Sequence, residues 1–174
     1  MDIKRYFMKR ILSFVIVVVL IFSLQSVFAG EKIESVSKID SVEVEYLEDG
    51  SRYVTVIESI PTETMSNGHI VSPLSVKTET KSKIAYYENS SGTRLWYVKV
   101  TGTFTYGNGT SKCTSVTPSA ASNHSSWKVS DISGSKSGNK ASATATGKQY
   151  ADGKLVQSVT RTVTLTCSAT GVFS

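Results

Sequence analysis

The chain has 174 residues, 40% of them hydrophobic, with a formal net charge of +5, two cysteines and two histidines. That length suffices for one domain with its own core, and basic residues scattered singly, without an arginine cluster, exclude a nucleic-acid footprint. Two cysteines and two distant histidines are too few ligands for a metal site, and no cofactor is expected.

Residues 1–29 read as a secretory signal peptide. Lys4, Arg5, Lys9 and Arg10 form a basic start, Ile11 to Leu24 an apolar run, and Val27-Phe28-Ala29 a small-residue cleavage signal, with the cut between Ala29 and Gly30. The rival is an uncleaved anchor, which needs about 18 apolar residues. The cleavage signal and the polar sequence after it favour removal, so the mature chain is expected to be secreted and not to span a membrane. Loss of the leader leaves a polarised chain. Residues 30–88 carry 11 acidic and 6 basic side chains, whereas residues 89–174 carry 9 basic and 2 acidic. A basic half suits attraction to an anionic wall or envelope surface.

Period-two alternation, the mark of half-buried strands, dominates the chain beyond the leader. Residues 30–60 form an acidic segment with a β-hairpin: Val42, Val44 and Tyr46 alternate with Glu43 and Glu45, Asp49-Gly50 makes the turn, and Tyr53 to Ile57 returns. Residues 61–75, with Pro61, Pro73 and Asn67-Gly68, are a linker. From residue 76 to 174 strands resume, with turns at Asn89 to Gly92, Gly107-Asn108-Gly109 and Asp152-Gly153. Pro118 to Ser125 reads as a polar loop, Trp127 to Ile132 as a short strand and Gly134 to Gly138 as a turn. Short strands punctuated in this way predict an all-β, antiparallel sandwich of immunoglobulin-like architecture over 76–174. Whether the 41–59 hairpin joins that sheet is open at this level.

Within the predicted sandwich, Trp96, Val98, Val100, Phe104 and Tyr106 form one stripe, expected to face the core. Gly102 interrupts it, either to leave room for a neighbouring ring or to place a bulge. Tyr97 and Lys99 have the opposite parity and should face outward. With Tyr86, Tyr87 and Tyr150 they are the candidate surface-binding residues. Cys113 and Cys167 lie on predicted strands of an exported chain, where a disulfide is expected. Closing about 54 residues would contribute about 4 kcal/mol.

The chemistry of catalysis is sparse. There is no GxSxG elbow, HExxH or phosphate-binding glycine loop, and His69 and His124 sit in polar loops. A hydrolase would have to draw on Glu43, Glu58, Asp131 and Asp152, which read as exposed charges on strands and turns, so no catalytic residue is assigned. Sequons at Asn89, Asn108 and Asn123 fall in turns, where Asn and Ser serve the backbone anyway.

The residues Leu95-Trp96, Thr103-Phe104-Thr105-Tyr106, Cys113, Trp127, Ser137-Gly138-Asn139-Lys140-Ala141 and Thr164-Leu165-Thr166-Cys167-Ser168 form a pattern. Over residues 80–174 it resembles a group of small secreted proteins of Gram-positive bacteria. The resemblance implies export and a β-rich fold and carries no activity with it. The expectation is therefore a secreted, non-enzymatic protein that binds a surface or partner outside the cell, such as a cell-wall polymer, a glycan or the envelope. The alternative is an antimicrobial or toxin-like protein acting on anionic envelopes.

Overall fold

The computed structural model describes residues 37–60 and 76–174. The expected signal peptide with its Ala29–Gly30 cleavage site, and the linker 61–75, lie outside the described residues. Eight strands make up the fold: β1 (Lys38–Tyr46), β2 (Arg52–Ser59), β3 (Lys77–Glu88), β4 (Arg94–Gly107), β5 (Thr110–Ser122), β6 (Trp127–Ser137), β7 (Lys140–Ala151) and β8 (Lys154–Thr166). They form two antiparallel sheets, β1-β2-β3-β4-β5 and β6-β7-β8. β2 pairs with β3 from Arg52–Glu88 to Ser59–Lys81, so the N-terminal hairpin belongs to the large sheet.

Every neighbour in each sheet is also the neighbour in sequence. The immunoglobulin fold instead exchanges strands between sheets through Greek-key connections, and the described strands do not. The turn chemistry explains the meander. Asn108-Gly109 and Asp152-Gly153 both hold positive φ at each of their two residues (51° and 76°, 49° and 75°). That is the two-residue hairpin turn whose twist matches its flanking strands, so each strand returns directly beside its predecessor.

One apolar core lies between the two sheets, and strand β4 is its axis. Trp96, Val98, Val100 and Phe104 are fully buried on its inner face. Opposite them, β7 offers only small residues: Ala141, Ala143, Ala145 and Gly147. This is large-against-small packing. A Cβ on Gly147 would fall 2.4 Å from Cε2 of Trp96, and one on Gly102 would fall 2.5 Å from Cε2 of Phe104. Gly102 thus leaves room for a ring. The adjacent bulge is a separate feature, an extra residue in β5 where Thr103 pairs with Ser115 and Phe104 with Cys113.

Three segments differ from the pattern read in the sequence. Pro118 lies within β5, paired with Val100; β5 is the last strand of its sheet, where a missing N–H costs no ladder bond. Gly134 lies within β6, where a Cβ would strike the Pro118 ring at 2.9 Å. The turn shrinks to Gly138-Asn139. Beyond β8 the chain folds back: Thr166 and Ser174 exchange main-chain hydrogen bonds of 2.9 and 3.0 Å. This sets the Phe173 ring edge-on against Phe104 and Tyr106.

The expected Cys113–Cys167 disulfide is absent: both cysteines are free and buried. The tip of the β6–β7 hairpin is bonded to both cysteine-bearing segments, since the Cys113 N–H donates to the Gly138 carbonyl and the Cys167 N–H to the Asn139 carbonyl. Each thiol donates to a carbonyl of its own segment, Ser115 at 3.2 Å and Ser168 at 3.4 Å. Each cysteine thus meets the hairpin tip rather than its expected partner. Burial pushes both thiols above the ordinary cysteine range.

Candidate binding face

The outer face of the large sheet is built row by row from the strand register, because directly opposed residues share a face. One row runs Val44, Val54, Tyr86, Tyr97, Ala121 across β1 to β5. The next runs Val42, Val56, Ile84, Lys99, Ser119. Beyond it the face becomes polar, with Glu58, Ser82, Thr101 and Thr117. The result is an apolar and aromatic band with a hydroxylated flank. Val56 and Ile84 are buried within the band, yet neither joins the core between the sheets. Val42 and Val44 remain 58% and 43% exposed, and Tyr46 at the corner 70%.

Tyr86 and Tyr97 are the centre of this face. They oppose one another with ring centroids 5.9 Å apart and planes tilted by 54°. The Arg94 guanidinium lies over the Tyr86 ring at 3.9 Å, a cation–π contact. Arg94 is held there by Glu88 at 3.2 Å, and Arg52 takes another oxygen of the same carboxylate at 2.8 Å. Glu88 is buried, so the two arginines neutralise a charge that would otherwise be costly. Partial burial raises the Tyr86 hydroxyl above the usual tyrosine range. Lys99 is 4.0 Å from Glu58. The face therefore combines two rings, a stacked arginine and exposed valines.

Of the candidate residues, Tyr86, Tyr97 and Lys99 come together here. Tyr87 does not. It is 3% exposed in the core, where it opposes Trp96, packs against Tyr53 and Trp127, and donates to the Ser51 hydroxyl. Tyr87 is thus a core residue and is withdrawn from the surface set. Tyr150 lies in the other sheet, at the end of β7, with the Lys128 ammonium 5.3 Å from its ring. Arg94, Val42, Val44 and Val54 escape sequence reasoning. The first lies beside a turn, and the valines enter the face only through the pairing of β2 with β3.

The carboxylates considered for hydrolysis are dispersed over separate elements. Glu43 is exposed on β1 and Glu58 faces outward on β2. Asp131 sits at a bulge of β6 with φ 56°, near Lys148, and Asp152 forms the β7–β8 turn. Among the described residues there is no group of three potential metal ligands, and no helix long and apolar enough to cross a membrane. Comparison with protein-family models, curated proteins and solved structures finds no match.

Proposed function

We propose that this is a secreted, non-enzymatic β-sandwich protein that attaches to a surface or partner outside the cell through the outer face of its large sheet. The observation that carries the proposal is the band of exposed Val42 and Val44 and half-buried Tyr86 and Tyr97, with Arg94 stacked on the Tyr86 ring. Contiguous apolar and aromatic surface of this kind marks interaction sites on proteins that otherwise face water. The leader at 1–29 supports export, and the basic side chains of residues 89–174 support an anionic surface as the target.

The test is retention of the mature chain, from Gly30, on isolated cell walls and on whole cells. Wild type is expected to be retained, and Tyr97→Ala and Arg94→Ala to be released at lower salt or lower concentration. Failure of wild type to bind any cell, wall polymer or matrix glycan would remove the proposal. Leakage of anionic liposomes at micromolar protein would favour the antimicrobial alternative instead.

A further inference from the structure

At one end of the molecule the two sheets part to leave a cleft of about 300 Å³. Its floor is closed by buried core side chains. Tyr87 and Trp127 meet edge to face at 5.4 Å, and Leu95 lies beside them. Its rim is polar and comes from three connections and two strand ends. Asp49 belongs to the β1–β2 turn, Asn89 to the β3–β4 turn and His124 to the β5–β6 connection.

The opposite wall is the informative one. Along β7 the inward positions run Ala141, Ala143, Ala145, Gly147 and then Gln149, which pairs with Gln157 of β8 and with Trp127 of β6. An inward, apolar series thus ends in two facing glutamines at the point where the cleft opens. Neither side-chain amide has a hydrogen-bond partner among the described residues. Several other rim groups are half engaged. The Oδ1 atom of Asp49 accepts from Ser51, which leaves Oδ2 available. The Oδ1 atom of Asn89 accepts from Ser91 and Thr93, which leaves its amide donors available. The Nδ1 atom of His124 is taken by Ser126.

The chemistry of this lining selects its ligand. The rim has no lysine or arginine, and hydrogen bonds from Ser51 hold the Asp49 carboxyl below its ordinary range. It is therefore charged at neutral pH and disfavours an anion. One carboxylate is too few oxygen ligands for a calcium or magnesium ion. Three amides and a carboxylate around the mouth would be left unpaired by a purely apolar ligand, which costs affinity. A neutral molecule with several hydroxyls satisfies the rim.

We propose that this cleft binds a single neutral sugar residue, with the amides of Gln149 and Gln157 and the Asp49 carboxylate on its hydroxyls. The site shares none of its lining residues with the outer-face band, so the two can fail independently.

The chain has only two tryptophans, and Trp127 is in the floor with Trp96 stacked behind it at 6.5 Å. Tryptophan emission is thus a local reporter. Neutral hexoses and N-acetylhexosamines, titrated to about 10 mM, should perturb that emission with dissociation constants in the millimolar range, and glucuronic acid should bind more weakly. Gln149→Ala/Gln157→Ala should weaken binding about tenfold or more while leaving the melting temperature near wild type. Tyr97→Ala should leave sugar binding unchanged. No response to any neutral sugar overturns the proposal, as does equal binding by the glutamine variant or tighter binding of glucuronic acid.

Discussion

Tyr86 and Tyr87 are neighbours in β3, and they stand on opposite faces of the large sheet. Tyr87 lies in a core that Trp96, Trp127 and Tyr53 share, and its hydroxyl is spent on Ser51. Tyr86 lies on the outer face against Tyr97, with an arginine on its ring. The two faces obey different rules. The inner face is made of large residues fitted against alanines and glycine, so each position is fixed by volume. On the outer face nothing from the other sheet opposes the residues, so the exposed ones, such as Val42 and Val44, can be exchanged at little cost to stability. The exposed valines among them are the ground for the proposed binding role.

This contrast can be broken or sharpened by substitution. Trp96→Ala has the largest expected effect: it empties the centre of the core and should destabilise by about 3–5 kcal/mol, lowering the thermal midpoint by about 10 °C or more. Both thiols belong to the same interior. Under denaturing, non-reducing conditions a thiol reagent should titrate two per chain, and in the native protein the reaction should be slower by roughly a hundredfold or more. Titration of none after denaturation would mean that the cysteines are bonded.

Gly147→Ala should cost about 1–3 kcal/mol in chemical denaturation, because the new methyl meets the rigid Trp96 indole. A smaller effect belongs to Asp40, whose carboxyl is held below its ordinary range, chiefly by a hydrogen bond from Lys81 and then by one from Ser59. A depressed folded value stabilises the protein above the unfolded carboxylate range, and that contribution is lost as pH falls through the folded value. Asp40→Asn should therefore lower stability near neutral pH by about 0.5 kcal/mol and flatten the acid limb of the stability curve. Tyr97→Ala should cost less than about 1 kcal/mol in stability, with its main consequence on binding.

Much of the fold is legible in the residues themselves. Alternation fixes the strands, and Asn108-Gly109 and Asp152-Gly153 fix two turns, because these are local signals. The parity of Tyr97 and Lys99 against the Trp96 stripe is local as well. The remainder depends on distant partners. Pro118 and Gly134 look like loop residues until β5 and β6 are seen to fit the ring of one over the bare backbone of the other. Tyr87 looks like a surface candidate until its opposition to Trp96 is known. Val42 and Val54 join Tyr86 only through register, and so does the Gln149–Gln157 pair at the cleft. Two cysteines on strands, read together with the expected signal peptide, suggest a staple, whereas the hairpin tip at Gly138-Asn139 stands where that staple is expected.

The most direct measurement is parallel retention of wild type and a Tyr86→Ala/Tyr97→Ala variant on isolated cell walls, at a temperature where circular dichroism shows both folded. Retention of wild type with a loss of about tenfold or more in the variant is the predicted result. Equal retention of the two proteins would contradict assignment of binding to the outer face.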